Sequence, residues 1–99
     1  MGKLFVDDRR EKPKTGYDVQ CYDVASAKLM LSVMTFDGIS LDYDLGEGGT
    51  GVEILEFMKE QGIVFSCINI HSDHVIGRQE MSAFCAKWFP DTEVTFRPG

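Results

Sequence analysis

The 99-residue sequence has no apolar run approaching the roughly 20 residues needed to span a bilayer, which excludes a transmembrane helix. Leu4-Phe5-Val6 is too short for the apolar core of a secretory signal before Asp7 interrupts it, so a cytoplasmic location is expected. Cysteine is scarce. Cys21, Cys67 and Cys85 are odd in number and far apart, with no CxxC or Cys/His metal spacing, and read as three buried thiols in a reducing compartment. Basic residues are few: 10 Lys and Arg stand against 16 Asp and Glu, for a net charge of −6. Backbone binding to duplex DNA needs cationic surface, so a duplex partner is excluded, whereas one phosphate or a nucleic-acid end is not. Repeats, low-complexity tracts and linkers are also missing, and one domain over 1–99 is expected.

What is present suffices for a core: 43% of residues are apolar, 11% aromatic and 26% charged. The charge is uneven. Residues 1–14 hold five basic and three acidic groups, a net of +2, which leaves −8 for the remainder. A basic arm therefore meets an acidic body.

Short apolar runs at 3–7, 19–22, 39–42, 63–71 and 93–97 read as strands. Asp23 is an N-cap candidate for a helix to about Met34, with Val24, Ala27, Leu31 and Met34 on one face. Thr50 and Glu53 have capping-box spacing before a helix that Gly62 ends. Met81, Phe84, Cys85, Trp88 and Phe89 give a third helix its apolar stripe, and Pro90 stops it. Alternating strands and helices argue for an α/β three-layer sandwich: a five-stranded, mainly parallel sheet with helices on both faces. Right-handed crossovers favour the flavodoxin-like order 2-1-3-4-5. About three helices are expected, because residues 9–18 between the first two strands read as a basic loop.

In such a sheet, ligands bind outside the carboxyl ends of the strands. Strand 1 ends in Asp7-Asp8, strand 3 in Asp42 and Asp44, strand 4 in His71-Ser72 and strand 5 in Arg97. The opposite ends carry no comparable cluster. A single aspartate there is ordinarily a cap, but four strands delivering polar groups to one rim point to chemistry. Clustered carboxylates repel unless a cation is present, and this donor set suits Mg²⁺. The run Arg9, Arg10, Lys12, Lys14 hangs over the same rim. Arg78 opens the last helix, where a cation opposes the helix dipole, so it has an anionic ligand as an alternative role. Gly48, Gly49 and Gly51 precede a helix N-terminus and allow close approach of a phosphate, although no P-loop lysine follows. His74 is either a second imidazole in the loop or a solvated residue.

These residues resemble two related groups. Asp7-Asp8, Asp42, Ser72 and Arg97-Pro98 stand where response-regulator receiver domains carry paired acids, an aspartate, a Ser/Thr and Lys-Pro, and Gly51 matches a receiver glycine. The strings LFVDDRR with Pro13, ISLDYDLG with GTG, and IHSDHVIGR with Met81 are similar to a receiver-like family thought to process cyclic phosphates, over roughly 3–85. Tyr43, His74-Val75 and Glu80 depart from that family's pattern. The resemblance implies a receiver-like fold with the first and last receiver helices reduced or absent, which weighs against signalling. It implies Mg²⁺ on Asp8, Asp42 and Asp44, with His71 as general acid or base. Asp42 and Ser72 complete the catalytic set, and Arg9, Arg78, Arg97 and Gly49 meet the phosphate. The reaction expected is Mg-assisted hydrolysis or binding of a cyclic phosphate, on a small nucleotide or an RNA end. The alternatives are a receiver phosphorylated on Asp42 and a non-catalytic interaction module.

Overall fold

A computed structural model describes residues 2–96. The elements run β1 (Lys3–Val6), β2 (Val19–Cys21), α1 (Val24–Val33), β3 (Gly38–Leu41), a 3₁₀ turn (Gly46–Gly48), α2 (Gly51–Gln61), β4 (Cys67–Ile70), α3 (Val75–Trp88) and β5 (Glu93–Phe96). The strands form one sheet in the order β2-β1-β3-β4-β5, and every neighbouring pair is parallel. This is the expected receiver-like α/β topology with three helices. Arg97 lies outside the described residues. Among the described residues, no helix is long and apolar enough to cross a membrane.

The helix boundaries follow their caps. Asp23 accepts the Ser26 N–H at 2.8 Å and opens α1. The Thr50–Glu53 capping box opens α2, with the Glu53 carboxylate accepting the Thr50 N–H at 2.8 Å. Gly62, at φ +69°, closes it in a left-handed turn that Cβ-bearing residues resist. Gly51 is required by a close approach: a Cβ there would meet the Asp42 carbonyl oxygen at 2.5 Å and the Met81 sulfur at 2.7 Å.

The layering departs from the expectation of helices on both faces. α1 packs on α2 and α2 on α3, so all three lie in one row over one face. Their core is Val24, Ala27, Leu31, Ile54, Leu55, Met58, Met81 and Cys85 against Leu4, Val6, Ile39, Leu41, Ile68 and Ile70. The physical reason is handedness. The β2–β3, β3–β4 and β4–β5 crossovers all advance the same way across the sheet, so right-handed connections place them on the same side. Only the β1–β2 connection goes the other way, and it contains no helix. Residues 8–18 cover part of the second face as a loop. Tyr17 sets its ring edge-on to Phe5, with centroids 5.4 Å apart. The Gln20 side chain ties the loop down, accepting from Lys12 N–H at 2.9 Å and donating to the Arg10 carbonyl at 2.7 Å.

Three local expectations are corrected. The strand expected over 63–71 is limited to Cys67–Ile70, because its partner β3 begins only at Gly38, paired with Cys67. Trp88 is 42% exposed rather than inward, its ring covered by the Lys59 ammonium at 3.7 Å. All three cysteines are free, but Cys67 is half-buried, on the face the helices do not cover. Burial raises the Cys85 thiol to about 11 and pushes the Cys21 thiol up as well.

Candidate functional site

The carboxyl ends of β1 and β3 lie side by side, in the register Val6 to Leu41. The residues that follow each strand therefore meet. One oxygen each from Asp7, Asp8 and Asp42 lie within 4.8 Å of one another. They line a cleft of about 290 Å³ together with Arg9, Arg10, Asp44, Asp73 and His74. Asp7 is buried, whereas Asp8 and Asp42 are half-buried. Burial raises the Asp42 pKa, and the charges of Asp7 and then Asp8 add to the rise. Hydrogen bonds from the Ser72 side chain and the Tyr43 backbone pull it back down. Ser72 also accepts the His74 N–H at 3.1 Å, so it links Asp42 to the loop that opens α3.

Asp7 is the most constrained member. Its Oδ1 accepts the backbone N–H groups of Arg9 and Arg10, each at 2.8 Å. Its Oδ2 lies 2.9 Å from His71 Nε2. Behind His71 runs a hydrogen-bonded row across the uncovered face. The Thr95 hydroxyl donates to Asn69 Oδ1 at 2.8 Å, and Asn69 Nδ2 donates to Ser40 Oγ at 2.8 Å. Ser40 Oγ lies 2.6 Å from His71 Nδ1. The Asp7 carboxylate can only accept, so the neutral imidazole carries its proton on Nε2, facing Asp7, and Nδ1 accepts the Ser40 hydroxyl hydrogen. Every bond in the row thus points toward the acidic cluster. The imidazole lies flat on Phe5, with ring centroids 4.5 Å apart. Burial lowers the His71 pKa, outweighing the opposing pull of Asp7, so the ring is neutral at pH 7.

The site residues expected from sequence fall into three groups. Asp8, Asp42, Asp44 and Arg9 line the cleft. Asp44 stands at its exposed margin, its Oδ1 accepting the Gly46 N–H at 2.8 Å, and Asp7 takes its place in the tight cluster. Arg9 has no ion-pair partner among the described residues, while Arg10 reaches Asp73 at 3.5 Å. His71 and Ser72 stand one layer behind, holding Asp7 and Asp42. The remaining residues are elsewhere. Arg78 sits on the far flank of α3, in a groove with Val75 and Phe96. Gly49, at φ +103°, packs on Val24 and Glu53.

Ser40, Asn69 and Gln20 were not singled out by the motifs, although a signal for them exists. Gln20, Phe5, Ser40, Asn69 and Thr95 occupy one register row across all five strands. Each alternates with an apolar neighbour that faces the helices. A sheet covered by helices on both faces would read as continuous apolar runs, so this alternation marks a face that is not.

A family model described as a cyclic-phosphate processing receiver domain matches residues 2–87. Among solved structures, the phosphorylated cyanobacterial phytochrome response regulator RcpA is similar in fold, with a TM-score of 0.61 at 15% identity. That match covers 98% of this chain and 79% of the other. No curated protein matches the sequence.

Proposed function

This chain belongs to the cyclic-phosphate processing receiver domain family, and from that premise we propose that the acidic cleft binds the phosphate of a small cyclic-phosphate ligand or RNA end together with Mg²⁺. The observation that carries the reading is the convergence of Asp7, Asp8 and Asp42 within 4.8 Å beside the Arg9 guanidinium. Three carboxylates held this close repel one another, and the raised Asp42 pKa is the trace of that repulsion added to burial. A hard dication with oxygen ligands and several waters fits this donor set. When bound, Mg²⁺ neutralises charge on the phosphate oxygens and polarises the phosphorus centre.

The chain's own residues do the rest. Asp8 and Asp42 are the accessible ligands. Asp7 supplies a third carboxylate whose orientation is fixed by two backbone N–H groups and His71. Ser72 orients Asp42, and Arg9 offsets the anion. Opening a cyclic phosphate requires water to attack phosphorus and a proton to reach the departing oxygen. His71 is sealed from solvent and committed to Asp7, so it acts on the carboxylate and not on the ligand. Binding is therefore what the geometry supports best. The test is calorimetric titration with 2′,3′-cyclic nucleotides and cyclic-phosphate RNA ends, with Mg²⁺ or chelator, followed by product analysis. Saturable, Mg²⁺-dependent binding that is lost in Asp42→Asn supports the reading. No binding of either probe overturns it, and ring opening would extend it to catalysis.

A second reading, a phospho-accepting receiver, is favoured by the Ser72–Asp42 hydrogen bond at the end of β3. Beryllofluoride or acetyl phosphate with Mg²⁺ separates the two readings. Modification of Asp42 itself selects the receiver.

A further inference from the structure

We infer that His74 is the ligand-recognising imidazole of the cleft, presenting its Nε2–H to a phosphate oxygen. The inference rests on the phosphate reading of the cleft and names a contact within it. His74 is the N-cap of α3, and its Nδ1 accepts the Gly77 N–H at 2.8 Å. A backbone amide can only donate, so Nδ1 must be unprotonated and the ring proton sits on Nε2. The cap therefore fixes the tautomer. Among the described residues, Nε2 has no hydrogen-bond partner. The ring is also held in place: it stacks on Tyr43, with centroids 4.7 Å apart and planes 26° from parallel. Tyr43 in turn lies over Gly77, where a Cβ would meet its ring at 2.2 Å.

Both imidazoles stand on the one loop between β4 and α3, but only one borders the cleft. His71 is buried behind Asp7, whereas exposed His74 lines the cleft with Asp8, Asp42 and Arg9. Around it stand the carboxylates of Asp44 and Asp73 and the guanidinium of Arg10, which is paired with Asp73 at 3.5 Å. A neutral donor adds no charge, so its contribution is directional. Arg9 and a cation attract any anion, while a fixed N–H selects an oxygen at one place. The same cap denies His74 a role as proton donor. Giving up Nε2–H from a neutral ring would leave an imidazolate.

The test compares His74→Asn and His74→Phe with the wild-type chain. Asparagine keeps an N-cap acceptor for Gly77 but lacks the ring and its Nε2–H. Phenylalanine keeps a ring on Tyr43 but has no donor. Both variants should bind 2′,3′-cyclic adenosine monophosphate about tenfold more weakly or worse in saturating Mg²⁺, the loss expected for a hydrogen bond to a charged group. Their affinity for Mg²⁺ alone should stay within about twofold of wild type, since cation binding does not use the imidazole. Wild-type affinity for the nucleotide in either variant overturns the inference, as does a parallel loss of Mg²⁺ affinity, which would make His74 merely structural. Failure of the wild-type chain to bind the nucleotide removes the underlying phosphate reading, and the inference with it.

Discussion

His71 Nε2 sits 2.9 Å from Asp7 Oδ2, with the imidazole side chain fully buried and the carboxylate 4% exposed. The imidazole is closed on the far side by Ser40 and below by Phe5, so it has no water as a substitute. Removing one partner takes from the other the bond between Nε2 and Oδ2. His71→Leu should destabilise the fold by about 3 kcal/mol, and Ser40→Ala by about 1–2 kcal/mol, in urea unfolding. Unchanged midpoints would show that the row across the sheet carries no energy.

The same pair sets a pH dependence. The folded pKa of His71 is held below its ordinary value of about 6.5 by burial. Between the two values the unfolded chain binds the proton and the folded chain does not. Stability is then complete above about pH 6.5 and is lost as pH falls through that value toward the folded pKa. His71→Gln should flatten this segment of a stability-versus-pH curve measured in the presence of chelator. A wild-type curve that is already flat there would contradict a neutral buried ring.

Asp42 carries the opposite sign. Its folded pKa is raised by burial first and by Asp7 and Asp8 second. The resulting cost is absent below the unfolded pKa and complete once pH has risen through the folded one. Asp42→Asn should therefore stabilise the metal-free protein, by on the order of 0.5–1 kcal/mol after allowance for solvent screening of a half-exposed group. Mg²⁺ at a hundredfold excess over its dissociation constant should stabilise wild type by about 2.7 kcal/mol and leave Asp42→Asn nearly unmoved. Thermal melts in magnesium and in chelator measure both. Equal magnesium shifts in the two proteins would place the cation elsewhere.

Gly77 offers a test of the Tyr43–His74 arrangement. Glycine to alanine inside an exposed helix usually gains about 1 kcal/mol. Here the new Cβ would lie 2.2–2.5 Å from the Tyr43 ring, so the sign reverses. Gly77→Ala should cost about 1–3 kcal/mol, the range for forced overpacking. Combining it with Tyr43→Ala should recover part of that loss, as a double-mutant cycle reads. A stabilising Gly77→Ala would show that the ring does not lie on the helix.

The strand order was legible because crossover handedness and the alternation of elements leave few topologies. Asp8 and Asp42 were legible because strand ends in such sheets point to one rim. The role of His71 was not. Its position at the end of β4 says that it approaches the rim, but only the register of Ser40 against Asn69 shows that its Nδ1 is already engaged. His74 reads from the sequence as either a ligand or a solvated loop residue, because a histidine N-cap has no strong sequence signature. The one-sided helix layer was written in the strands themselves. Lys3-Leu4-Phe5-Val6, Gly38-Ile39-Ser40-Leu41 and Cys67-Ile68-Asn69-Ile70 alternate in phase. Strands of four residues hold only two positions per face, so the alternation is brief.

The loop over the second face has a consequence for how the molecule opens. Residues 8–18 shelter Phe5 through Tyr17, and the same stretch carries Arg9 and Arg10 to the cleft. Its anchors, Gln20 and the Asp7 carboxylate, bind its backbone at Arg9, Arg10 and Lys12. Roof and cations are thus one exchange unit. A fluctuation that lifts this stretch uncovers an aromatic ring and withdraws both guanidinium groups in a single event, and a bound anion, by holding the guanidinium groups, would slow amide exchange in strands it never touches.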